Sequence, residues 1–199
     1  MMLQDMQQGS PEWLLLRQGK ITGTDAAIIN NTNPYRDILS LWEEKLQLRE
    51  PEPMNERMKR GSLLEEPARI LLIEKLGINF TPRVIISDVH NWCMASVDGL
   101  SDCGKFMCEI KSPSKATHEQ ALDGHIKIYY QDQMQHCLYV TGAEKCYYCS
   151  YLPGHAQEIA VIEVYPDREY IERMIEKEKE FWIRLCTMQP PEKPWEFGK

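Results

Sequence analysis

Two short stretches, close together in the chain, bring two acids and an amine, residue types that can bind a metal ion and steer a proton. Ala95-Ser-Val-Asp-Gly99 ends on an acid followed by a glycine, and after a polar loop with Gly104, Met107-Cys-Glu-Ile-Lys-Ser-Pro113 supplies a second acid and an amine. Side chains alternate along a strand, so Glu109 and Lys111 project to one face while Ile110 turns to the other and can pack in a core. If the loop closes a hairpin, Asp98 comes near Glu109, and two carboxylates converge beside a lysine. Hard oxygen ligands of this kind, with the Ile110 carbonyl between Glu109 and Lys111, suit Mg²⁺, which keeps several waters and completes its shell from a substrate phosphate. The lysine can orient a metal-bound water or help remove its proton.

The elements that must hold this hairpin follow from period and punctuation. Ser10-Pro11-Glu12-Trp13 reads as a capped helix start, and Thr22-Gly23-Thr24-Asp25 as a second, with Asp25 placed to favour the helix dipole. Ile38, Leu39, Leu41, Trp42, Lys45, Leu46 and Leu48 recur at helical spacing, and a long helix is expected from Met54 to Leu76, closed by Gly77 and kinked or restarted near Glu65 and Glu66 by Pro67. From Phe80 short β-rich runs alternate with Asp, Asn and Gly, the signature of an antiparallel meander. Residues 114–140 return to helix, with Tyr129, Tyr130, Gln133 and Cys137 on one face. Lys145 to Leu152 and Ile159 to Val164 read as two edge strands, and Asp167 to Met188 is a closing amphipathic helix. The expectation is an α/β (α+β) fold in a single domain over residues 1–199, with a central sheet flanked by helices.

Composition narrows the setting. The 199 residues are 43% hydrophobic and 27% charged, ordinary for a globular chain, and no apolar run reaches membrane length. The start lacks the basic and apolar segments of a secretion signal, which predicts a cytoplasmic protein. Seven cysteines, an odd number in apolar contexts, suit reduced thiols. Cys146 and Cys149 would face opposite ways on a strand and have no second pair, which weighs against a thiolate metal centre. The histidines show no ligand spacing. A net charge of −7 argues mildly against nucleic acid, but a local groove can still bind DNA in an acidic protein.

The ordered set of motifs resembles the PD-(D/E)-x-K nucleases, and within them the phage lambda exonuclease family of YqaJ-like viral recombinase nucleases. The resemblance rests on Pro11-Glu-Trp13, Arg17-Gln-Gly-Lys-Ile-Thr-Gly-Thr24, Asn33-Pro-Tyr35, Leu41-Trp-Glu-Glu-Lys45, Gly61 with Glu65, Ser96-Val-Asp-Gly99, Glu109-Ile-Lys-Ser-Pro113 and Gln131-x-Gln133-x-Gln135. One departure is Val97, where the motif's name has proline; that residue shapes a turn and is no ligand.

This resemblance implies a restriction-endonuclease-like core with a mixed β-sheet. Asp98, Glu109, the Ile110 carbonyl and Glu65 would hold two Mg²⁺ ions, with Mn²⁺ as a substitute, and Lys111 would serve the attacking water. Arg17, Thr24, Ser96 and Gln133 match positions that hold a terminal 5′-phosphate, and Met58 matches an apolar side chain that separates the strands. For Gln133 the residues alone leave two kinds of partner open, a phosphate or metal-bound water and a backbone carbonyl. The implied activity is 5′ to 3′ digestion of one strand of linear duplex DNA. It would leave a 3′ single strand for an annealing protein, and a phage or prophage enzyme would act as a ring-shaped homotrimer. An endonuclease of the same core and a DNA-binding protein without catalysis are the alternatives; circular substrate distinguishes the first, and indifference to EDTA and to Lys111→Ala the second.

Overall fold

Caps written in the sequence start most of the helices in the computed structural model, which describes residues 2–50, 53 and 55–192. Ser10 caps α1 (Pro11–Gln18) by accepting from the Trp13 N–H, and Asp37 caps α3 (Ile38–Lys45) through the Ser40 N–H. At α2 (Gly23–Ile29) the Asp25 carboxylate reaches back to the Thr22 N–H. Helix α4 (Glu56–Leu76) starts at Asn55, runs unbroken through Pro67 and ends on Gly77 in the left-handed conformation. The expected restart at Pro67 is therefore absent, and Met54, the expected start, lies outside the described residues.

The strands are β1 (Met2–Gln4), β2 (Ile21–Thr22), β3 (Phe80–Ile86), β4 (Cys93–Ser101), β5 (Phe106–Lys111), β6 (Lys145–Tyr151) and β7 (Ile159–Val164). They form one mixed sheet ordered β1-β3-β4-β5-β6-β7, with β2 beside β4. The meander β3-β4-β5 is antiparallel, as its short turns require. Residues 114–140 are two helices, α5 (Lys115–Leu122) and α6 (Ile128–Thr141), separated at Gly124, whose φ of +83° suits glycine. This crossover returns β6 parallel to β5, so of the two expected edge strands β6 is interior and β7 is at the edge. A short polar turn could not have produced that pairing.

The chain closes with α7 (Arg168–Cys186). Helix α4 packs Ala68 and Leu72 on one face of the sheet, against Cys108, Ile110 and Cys149. On the other face, Met134, Cys137 and Leu138 of α6 meet Met107, Cys146 and Tyr148, with α2, α3 and α7 completing that layer. Cys146 and Cys149 thus belong to opposite cores, as strand alternation demands. Among the described residues no helix is long and apolar enough to cross a membrane.

Candidate active site

The site forms where two strands part. Strands β4 and β5 pair only at Gly99 with Cys108 and Leu100 with Met107. Strand β3 occupies the other edge of β4, so β2, paired with Cys93 and Met94, shares the edge that faces β5. Between these contacts β4 keeps β3 on one side but has no strand partner on the edge that faces β5. The Ile110 N–H, past the last β4–β5 pair, donates to Asp98 Oδ2 at 2.7 Å. Gly99 keeps the last pairing tight: a Cβ there would lie 2.6 Å from Phe80 Cβ and 2.7 Å from Cys108 Sγ.

Because the sheet opens here, groups from both faces reach one point. Glu109 is 1% exposed, and its Oε1 accepts from Gln133 Nε2 at 2.6 Å and forms an ion pair with Lys111. Glu65 of α4 pairs with Arg69 at 3.2 Å, and Arg69 also donates to the Asp98 carbonyl at 3.0 Å. Sequence reasoning missed Arg69. Its signal was the i,i+4 spacing from Glu65 on a helix that also carries the proposed ligand. Gln133 meets a carboxylate, a partner outside the two kinds left open for it. The Lys111 ammonium also sits 5.2 Å from the centre of the Tyr130 ring.

The electrostatics follow from burial and crowding. Burial, then the Glu109 carboxylate, push Asp98 up to about 7, against the pull of Lys111, the Ile110 N–H and Arg69. Burial and Asp98 likewise raise Glu65 despite Arg69. Burial opposes the charge on Lys111, yet Glu109 and Asp98 outweigh it and hold the amine above the usual lysine range. Crowded acids of this kind await positive charge. The donor set fits a hard divalent cation on one further observation: Glu109 Oε2 is buried and has no hydrogen-bond partner.

A second group assembles beside the first. Arg17 Nη2 donates to Thr24 Oγ1 at 2.6 Å, and its guanidinium stacks 4.9 Å over Trp13, whose indole donates to Ser96 Oγ at 2.8 Å. Ser96 and Asp98 are two residues apart on β4. The turn that presents Arg17 and Thr24 is locked from below by Lys45, which donates to the Arg17 and Lys20 carbonyls at 3.0 and 2.6 Å and pairs with buried Asp25 at 2.7 Å. Burial alone would raise Asp25, but Lys45 and Arg17 hold it below the usual carboxylate range. Gly23 lets α2 approach α6, since a Cβ there would meet Cys137 Sγ at 2.8 Å and Gln133 Cγ at 3.1 Å. Gln133 thus touches Glu109, Ser96 lies two residues from Asp98, and Arg17 and Thr24 connect to Ser96 through Trp13. Met58 is exposed on the first turns of α4.

Behind the site lies a cluster that spacing did not reveal. His136 on α6 is fully buried; its Nδ1 lies 2.9 and 3.0 Å from the two Glu178 oxygens, and its Nε2 lies 3.1 Å from the Met94 carbonyl. Acceptors on both ring nitrogens call for an imidazolium. Burial disfavours that charge, but Glu178 and the Met94 carbonyl raise His136 above its ordinary value. The Cys93 thiol approaches Glu178 at 3.8 Å. Two clefts of about 320 and 250 Å³ run along α7, and neither is lined by Asp98, Glu109 or Lys111.

A mixed sheet with helices on both faces, split at two strands that carry an acid and an E-x-K pair, defines the restriction-endonuclease-like class. Residues 12–144 match the YqaJ-like viral recombinase domain, and the chain belongs to that family. It is 30% identical over 176 residues to the uncharacterized protein YqaJ of Bacillus subtilis (strain 168); the match covers 86% of this chain but 54% of that protein, so the chain spans about half its relative's length. Among solved structures, it is similar to the alkaline exonuclease LHK-Exo of Laribacter hongkongensis, with a TM-score of 0.80, 26% identity, and coverage of 90% of this chain and 94% of that one. The same enzyme in complex with dAMP matches with a TM-score of 0.79 at 27% identity, covering 90% and 94%. A phage-related exonuclease from Haemophilus somnus 129PT shares the fold, with a TM-score of 0.67, 13% identity and coverage of 85% and 96%.

Proposed function

We propose that the protein is a Mg²⁺-dependent deoxyribonuclease that digests one strand of linear duplex DNA from its 5′ end. The observation that carries this reading is the meeting of Asp98, Glu109 and Glu65 around Lys111 at the opened strand pair, with one Glu109 oxygen buried and unpartnered. The similarity to an alkaline exonuclease supports it. When bound, Mg²⁺ would supply charge neutralisation at the phosphate and a more acidic water, with Mn²⁺ as a substitute. Asp98, Glu109, Glu65 and the Ile110 carbonyl would hold it. Gln133 and Lys111 fix the orientation of Glu109, and Arg69 fixes both Glu65 and the Asp98 backbone. Lys111, held as an ammonium, orients the attacking water by donating to it and stabilises negative charge gathering on the phosphate oxygens.

Arg17, Thr24, Ser96 and Gln133 would hold the terminal 5′-phosphate. Arg17 is the fork best suited to a phosphate, and it is already oriented by Trp13 and Thr24. Met58 would part the strands. In this reading a ring of three chains encloses the duplex and hands the remaining 3′ strand to an annealing protein, and the origin is a phage or prophage.

The test uses end-labelled linear duplex carrying a 5′-phosphate or a 5′-hydroxyl, beside closed circular DNA, with Mg²⁺ or EDTA. Mononucleotide release from linear DNA only, stopped by EDTA, is expected. Cutting of circles would instead identify an endonuclease, and DNA binding that ignores EDTA without any cleavage would identify a non-catalytic protein. Arg17→Ala should slow digestion of 5′-phosphorylated ends by about tenfold or more and leave 5′-hydroxyl ends nearly unaffected, since a charged hydrogen bond contributes about 1.5–3 kcal/mol. Equal slowing on both ends would remove the phosphate role.

A further inference from the structure

A row of tyrosines leads from the lysine of the site to the surface. Tyr148 on β6 is buried, and its ring centre lies 6.0 Å from that of Tyr130, over which Lys111 sits. Tyr129 meets Tyr130 at 4.5 Å, and Tyr35 meets Tyr129 at 6.2 Å in an edge-to-face contact. Tyr35, at the outer end, is 68% exposed. A single exposed tyrosine needs no explanation, but this one ends a continuous aromatic path that begins at Lys111.

The loop that presents Tyr35 is firmly held. Asn33 Oδ1 accepts from the Tyr35 and Arg36 N–H groups at 2.8 and 3.1 Å, and Arg36 pairs with Glu44 at 2.6 Å. The Thr32 hydroxyl donates to Asp132, buried on α6, which also accepts from the Tyr170 hydroxyl. An aromatic face fixed in this way binds a flat partner without first losing conformational freedom.

We infer that Tyr35, propped edge-to-face by Tyr129, forms a stacking platform for an unpaired base of the DNA strand held at Asp98, Glu109 and Lys111. The inference rests on the nuclease reading above and adds to it the means of gripping the strand beside the reacting phosphate. Three considerations favour a base as occupant. The platform is contiguous with Lys111, so a nucleotide next to the reacting phosphate lies within reach of it. Stacking accepts any base, as suits an enzyme that must digest every sequence. The chain has a net charge of −7, so affinity for a polyanion gains from contacts that do not depend on cations.

The test uses the full chain and duplex DNA whose end carries unpaired 2-aminopurine, a base whose fluorescence falls when it stacks, with Ca²⁺ replacing Mg²⁺ to hold back cleavage. Wild type and Tyr35→Phe should quench the signal. Tyr35→Ala, with Tyr129→Ala as the second variant, should lose the quench and bind the end roughly tenfold more weakly. In Mg²⁺, KM for these variants should rise by more than kcat falls. Unchanged quenching with KM within twofold of wild type would overturn the inference, and so would a sedimentation coefficient altered by Tyr35→Ala, because the tyrosine would then join copies of the chain. If wild type neither binds nor cuts DNA, the nuclease reading fails and carries the platform with it. A wild type that cuts normally while the tyrosine variants match it sinks the platform alone.

Discussion

Replacing Lys111 by methionine is expected to lower the rate of DNA digestion by about 10²–10³-fold, the range for losing one donor aimed at charge that develops in the transition state. It should also destabilise the protein. Glu109 is 1% exposed and meets Lys111 and Gln133 through a single oxygen, so removing the amine leaves a buried carboxylate without its counter-charge. Breaking one side of such a pair costs about 3–5 kcal/mol. The double variant Glu109→Gln with Lys111→Met removes both charges and keeps an oxygen for Gln133. Its thermal midpoint should recover much of that loss while digestion stays absent. Stability and catalysis are thereby separated, and a Lys111→Met enzyme that digests duplex within tenfold of wild type would falsify the role given to the lysine.

An effect on stability of the same size is expected at Glu178. Its carboxylate is the counter-charge to His136, and Glu178→Ala leaves an imidazolium among buried groups with only the Met94 carbonyl as partner. The expected loss is about 3–5 kcal/mol, or a midpoint lower by roughly 6–20 °C in a chain of this size. The pH dependence has a definite sign. His136 is raised in the fold, so its contribution is complete below the unfolded value of about 6.5 and is lost as the pH climbs through the folded value. Cys93, at 3.8 Å from Glu178, Asp25, Cys137 and Tyr139 are titratable groups that also act on this pair. Melting curves from pH 6 to 9 should show wild type weakening with rising pH and the Glu178→Ala slope flattened; parallel curves would mean that the pair is neutral in the fold. Digestion should fall as well, because His136 lies one turn beyond Gln133 on α6 and grips β4 at Met94, two residues before Ser96.

Much of this molecule was legible as a string of residues. Ser10, Asp25 and Gly77 announced helix ends because caps act through their nearest neighbours, and the meander showed because strand period and turn residues are local. The E-x-K spacing put Glu109 and Lys111 on one face for the same reason. What local pattern could not show was the crossover. Residues 114–140 read as helix, but that two helices would carry β6 back alongside β5 depended on a break at Gly124 and on packing across the sheet. Strands β1 and β2, of three and two residues, are too short to have a period.

The sequence by itself determined which side chains could do chemistry and which elements carry them, since propensity, capping and alternation operate over a few residues. Tertiary structure alone decided that β4 and β5 part beyond Gly99, that Arg69 and Gln133 enter from opposite faces of the sheet, and that Cys93, His136 and Glu178 meet behind them. Those meetings join residues up to 85 positions apart in the chain. Burial and the electrostatics of crowded charges, which raise Asp98 and hold Lys111 as an ammonium, exist only once the fold has excluded water from between them.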